Sequence, residues 1–122
     1  MKYRRLLFGV KDPYSDSSDE LFTKAVKENF SYCVSHCDDY RIICENLGIS
    51  SPSDASGLPV IPTLLFKKKQ IFNKGCIPLI KATSSGTSGR KSVVAFDTGG
   101  LLCGLKMVMR VSKLRNLLSP VP

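Results

Sequence analysis

Between Thr83 and Ser92 the chain reads Thr-Ser-Ser-Gly-Thr-Ser-Gly-Arg-Lys-Ser, ten residues without a single large apolar side chain. Val93-Val94-Ala95-Phe96 follows at once, and this β-branched and aromatic run predicts a strand. Ile77 to Ala82, on the other side, predicts a second short strand. The chain therefore has to be built around a strand, a hydroxyl-rich loop and a strand. Gly86 and Gly89 admit left-handed conformations and close approach of the backbone to a ligand. Successive backbone N–H groups of such a loop can form an anion-binding nest. The hydroxyls of Thr83, Ser84, Ser85, Thr87 and Ser88 add donors, and Arg90 and Lys91 add charge. Composition alone leaves two readings open, a polyphosphate cradle and a solvent-exposed hairpin loop of low complexity.

A Walker A loop is excluded. Its pattern demands glycine where this chain has Ser85 and Arg90, and it must open a helix rather than a strand.

Upstream, Asp12 to Asp19 is a polar turn that supplies good helix-capping types. Leu21, Phe22, Ala25, Val26, Phe30, Cys33 and Val34 follow helical spacing and predict a helix from Glu20 to about Cys37. Asp38-Asp39 then caps a second helix carrying Tyr40, Ile42, Ile43 and Leu47, with Gly48 at its C-terminal end. The two predict an antiparallel helical hairpin. Ser50 to Gly57 is a Ser-, Pro- and Asp-rich linker. Leu58-Pro59-Val60-Ile61-Pro62 is extended by proline geometry, and Thr63 to Phe66 is expected to continue it. Lys67 to Lys69 is a solvated charge run, and Gln70 to Asn73 predicts a short strand. After a turn over Asp97 to Gly100, a last basic helix is expected from Leu101 to Leu118. In it Lys106, Arg110, Lys113 and Arg115 face water while Leu105, Val108, Leu114 and Leu117 pack.

At 122 residues there is room for one small domain, and 18 Lys+Arg against 10 Asp+Glu give a net charge of +8 that favours anionic partners. No window nears the ~18 consecutive apolar residues of a membrane helix. The apolar stretch Leu6-Leu7-Phe8 behind the basic start is cut off too early for a secretory leader, so a cytoplasmic location is expected. Cys33, Cys37, Cys44, Cys76 and Cys103 are read as reduced, partly buried thiols, and the lone His36 as a surface or helix-end residue; no metal site is expected.

Three stretches carry a resemblance to the acyl-protein synthetase branch of the acyl-adenylate-forming enzymes, the fatty-acid-activating component of bacterial bioluminescence. Pro13-Tyr14-Ser15 leading into Glu20-Leu21-Phe22 and Glu28-Asn29-Phe30 is similar to the opening helix of that family. Leu58-Pro59-Val60-Ile61-Pro62-Thr63 with Phe66-Lys67 resembles the segment before its nucleotide loop. Ala82 to Gly89 resembles the loop itself and is the most specific of the three. The likeness covers nearly all of this chain but only the amino-terminal portion of such an enzyme. The fold it implies is α/β: the helical hairpin, short strands flanking a phosphate loop, and the basic C-terminal helix, together an incomplete part of a larger adenylate-forming domain. Residues 1–57 would be the helical region and linker, and residues 58–122 the start of the nucleotide-binding part.

The resemblance implies ATP-dependent activation of a fatty acid as acyl-AMP, then transfer to a thiol, a protein cysteine or coenzyme A. ATP and Mg²⁺ are the implied cofactors. Thr83, Ser84, Ser85, Gly86, Thr87, Ser88 and Gly89 would embrace the β- and γ-phosphates. The family's loop commonly closes with proline and lysine where this chain has Lys91 and Ser92, and Lys91 would supply the charge from one position earlier. The family's adenine-binding segment, acidic Mg²⁺ residue, ribose-binding aspartate and carboxy-terminal domain have no counterpart after Ser92. The catalytic residues are thus unassigned, and the chain is expected to be inactive alone. It would need a missing C-terminal part, or a reductase subunit as partner. The alternatives are a small basic nucleic-acid-binding module, which the lack of interleaved aromatic residues disfavours, and a non-catalytic remnant.

Overall fold

The computed structural model describes residues 1–12, 14–83, 91 and 93–117. Their order is α1 (Lys2–Leu7), α2 (Asp16–His36), α3 (Asp38–Asn46), a 3₁₀ turn (Ala55–Gly57), α4 (Thr63–Lys68), β1 (Ile80–Thr83), β2 (Val93–Phe96) and α5 (Thr98–Leu114). The architecture mixes helices with a two-stranded antiparallel sheet.

α2 begins one turn before the predicted Glu20, because Ser15 and Ser18 tie the preceding turn to its first residues. Ser15 is the N-cap residue, and its hydroxyl and that of Ser18 both donate to the Asp12 carbonyl, at 3.0 and 2.7 Å. Ser18 is buried and satisfied by that bond. Asp16 and Asp19 sit in the first turn, where the helix dipole favours negative charge. α2 and α3 are joined by Cys37 alone. The small core lies here: Ala25 and Phe30 of α2, Cys37, and Cys44 of α3, with the Phe30 ring edge-on to Tyr40 at 6.0 Å. Gly48 closes α3 as expected. At φ +67° it lets Ile49 N–H reach the Cys44 carbonyl at 2.9 Å and its own N–H reach Glu45, a Schellman ending.

Sequence reading gave the first residues no structure, yet they form α1 and dock on α2. The Glu28 carboxylate supplies what α1 lacks at its N-terminal end: it accepts from the Lys2 and Arg4 backbone N–H groups. Burial works against the Glu28 carboxylate, but the bonds from Arg4 and Lys2 prevail and hold its pKa below the ordinary value. A depressed carboxylate contributes stability above its unfolded pKa of about 4.3 and loses it as pH falls through the folded value. Amide exchange of α1 is therefore expected to accelerate below about pH 4 relative to α2. In Glu28→Gln it should be fast at neutral pH, with that pH step gone; an unchanged step would assign it to another group.

Three expectations are corrected. Thr63 to Phe66 is helical, not extended: Pro62 restrains the residue before it, and its own φ of −59° starts α4, with Leu65 N–H on the Pro62 carbonyl at 2.9 Å. Gln70 to Asn73 is not a strand. Its neighbourhood is tied to the α2–α3 corner instead, through Lys74 N–H on the His36 carbonyl at 2.6 Å and ion pairs Lys69–Asp39 and Lys74–Asp38, both at 2.6 Å. β1 starts only at Ile80, because Pro78 has no N–H to offer a ladder; Leu79 extends the pairing by one bond to Phe96.

α5 begins at Thr98, earlier than expected, because the Asp97 carboxylate accepts from Gly100 N–H at 2.6 Å. It ends on Asn116 at φ 50° in a second Schellman ending, Leu117 N–H meeting the Ser112 carbonyl at 2.9 Å. Lys106, Lys113 and Arg115 are exposed as expected, but the rest of the expected facing does not hold. Arg110 turns inward and donates to the Phe8 carbonyl at 2.9 Å, while Leu105, Val108, Leu114 and Leu117 lie exposed. α5 meets the end of α1 at Phe8 and packs lightly on β2, and no described element covers its Leu102–Met109 side.

Candidate functional site

The β1–β2 ladder sets Ile80 against Phe96, Lys81 against Ala95, Ala82 against Val94 and Thr83 against Val93. The two ends of segment 84–92 are thus held side by side at one end of the hairpin. Thr83, exposed at the end of β1, and exposed Lys91, two residues before β2, are the expected phosphate-site residues the structure places. Ser84, Ser85, Gly86, Thr87, Ser88 and Gly89 lie outside the described residues. A hydroxyl and an ammonium at this mouth suit a polyphosphate. The donor set does not suit Mg²⁺ unaided, because segment 80–96 contains no Asp or Glu. The phosphates themselves, or residues of a larger protein, would have to hold the ion. Among the described residues no group of three His, Cys, Asp or Glu side chains could hold a metal.

At the opposite end of the hairpin, where β2 runs into α5, lies a cavity of about 530 Å³. Arg4, Tyr32, Cys33, Tyr40, Phe72 and Phe96 are among its walls. The Arg4 Nε is buried and makes no hydrogen bond among the described residues. Cys76 Sγ donates to the Asp97 carboxylate at 3.7 Å; burial first, then that charge, pushes its thiol pKa up. Burial also raises Cys33, and Tyr40 is pushed up to about 12 by burial and by the nearby Cys44 and Cys33. These thiols stay protonated at neutral pH, which makes them poor nucleophiles. Neither Cys33 nor Cys76 has the character of an acyl-accepting thiolate.

All five cysteines are free, with Cys37 and Cys44 buried. Cys33 is in α2, Cys37 is the joint and Cys44 is in α3. His36 ends α2, stacked on Tyr32 at 4.0 Å. Sequence reasoning missed the cavity because its walls come from α1, the corner and β2, which no periodicity links. The close spacing of Cys33 and Cys37 was the one available sign.

No family profile matches the chain, and no solved structure matches it. Its sequence is 40% identical over 80 residues to a long-chain-fatty-acid–luciferin-component ligase of Vibrio harveyi, a match covering 64% of this chain and 21% of that protein. It is 30% identical over 84 residues to a protein of the same name from Photorhabdus luminescens, covering 67% of this chain and 72% of that one. Proteins of this class are, by name, ligases that join a long-chain fatty acid to a luciferin component. The chain belongs to the family of long-chain-fatty-acid–luciferin-component ligases. Its match spans only about a fifth of the Vibrio harveyi relative.

Proposed function

We propose that this chain is the phosphate-binding portion of an acyl-adenylating fatty-acid ligase. The observation that carries the reading is the similarity to two fatty-acid ligases. The hairpin supports it by holding the ends of the hydroxyl- and glycine-rich segment together. In the reaction, a fatty-acid carboxylate oxygen attacks the α-phosphorus of ATP. The bond to the bridging oxygen breaks, pyrophosphate leaves and acyl-AMP forms; a thiol of a protein or of coenzyme A then displaces AMP. The task of this chain is positioning and charge stabilisation. Backbone N–H groups around Gly86 and Gly89, the hydroxyls from Thr83 to Ser88 and the Lys91 ammonium hold the departing β- and γ-phosphates.

The test is ATP–pyrophosphate exchange with Mg²⁺ and a panel of fatty acids, which reports adenylation without the thiol step. The chain alone is expected to give no exchange. Mixed with a polypeptide spanning the four-fifths of the Vibrio harveyi relative that it does not match, it is expected to give acid-dependent exchange. If the two polypeptides associate and no acid stimulates exchange, the reading fails.

A further inference from the structure

α5 carries its apolar face outward. Arg110 holds one side of the helix against the end of α1, and Met107 and Val111, half-buried, lie towards that side. The remaining arc presents Leu102, Leu105, Val108 and Met109, each more than half exposed, with open space above Gly104. Neither α5 nor either strand contains a buried residue. On the sheet, Ile80, Val94 and Phe96 project from one face by register and are exposed as well. A helix in water normally turns its polar side out, so this one is built to be covered.

On α5 the face is roughly 25 Å long and 10 Å wide, and Ile80, Val94 and Phe96 extend it on the sheet. Such a face is covered when the chain is part of one larger fold. The Vibrio harveyi relative has such a body: about four-fifths of it is unmatched by this chain. We infer that the Leu102–Leu105–Val108–Met109 face of α5, continued by Ile80, Val94 and Phe96, seats the polypeptide that makes up the remainder of a ligase of this family. The inference rests on the family reading and adds to it the surface through which the two parts meet.

The experiment uses the full chain and the separately produced unmatched part of the Vibrio harveyi relative. Co-migration on size exclusion is expected, with Leu105→Lys plus Val108→Lys weakening association at least tenfold and Lys106→Glu, beside the face, changing it less than threefold. Both variants should keep the helical circular dichroism of the parent, since the substituted side chains stand in solvent. Leu102→Lys plus Met109→Lys provides an independent pair on the same face. The inference is overturned by absence of association, by association that both lysine pairs leave intact, or by a parent dimer that Leu105→Lys dissociates. Pyrophosphate exchange separates the two claims. Association without exchange defeats the proposed activity alone, and exchange unimpaired by the lysine pairs defeats the docking face alone.

Discussion

Phe30→Ala is expected to unfold the helical part of the chain or bring it to the edge of unfolding. Phe30 is 5% exposed, and the other buried apolar residues among the described ones are Ala25, Cys37, Cys44 and Pro52, all small. Phe→Ala in a core costs about 3–5 kcal/mol, the larger values where the site cannot collapse. Small domains have about 5–15 kcal/mol in all, so most of the margin goes with one ring. Tyr40 would also lose its edge-on contact. Urea unfolding followed by circular dichroism is the suitable measurement, because the chain has no Trp. A midpoint within experimental error of the parent would mean that stability resides elsewhere.

The second large effect belongs to the loop. Gly86→Val with Gly89→Val is expected to abolish stabilisation of the chain by ATP. A β-branched side chain would deny the proposed cradle the left-handed backbone and the close approach of phosphate that glycine allows. In the parent, ATP at tenfold its Kd would contribute about 1.4 kcal/mol, several degrees in Tm for so small a domain. The variant should melt at one temperature with and without ATP. An undiminished shift would remove the loop from the nucleotide site and leave the Arg4 cavity as the place to look.

Legibility in the sequence followed the range of the interactions. α2, α3 and β2 were readable because each is specified by neighbours along the chain: apolar residues at helical spacing, acidic residues at the N-terminal ends, a β-branched run. Gly48 was readable for the same reason. What was not readable depends on distant partners. α1 is a helix of six residues capped by Glu28, whose role no local pattern announces. The stretch from Lys69 to Lys74 is held by Asp38, Asp39 and the His36 carbonyl rather than by a strand. On α5, a count of apolar residues could find the amphipathic pattern but not which face the body would take; Arg110 decided that by reaching Phe8. As for the candidate site, its residue types come from composition and resemblance alone, and the pairing of Thr83 with Val93 adds that the two flanks of the segment lie side by side.

The joint at Cys37 bears on which length changes this family can accept. With a single residue between α2 and α3, an insertion there would turn α3 by about 100° about its axis and carry Cys44 out of the core. A deletion would do the same in the opposite sense. Ser50 and Ser51, both exposed, carry no such phase relation: they precede buried Pro52, and the 3₁₀ turn beyond is capped by its own Asp54. Variation in length among relatives should therefore collect there and stay away from the corner.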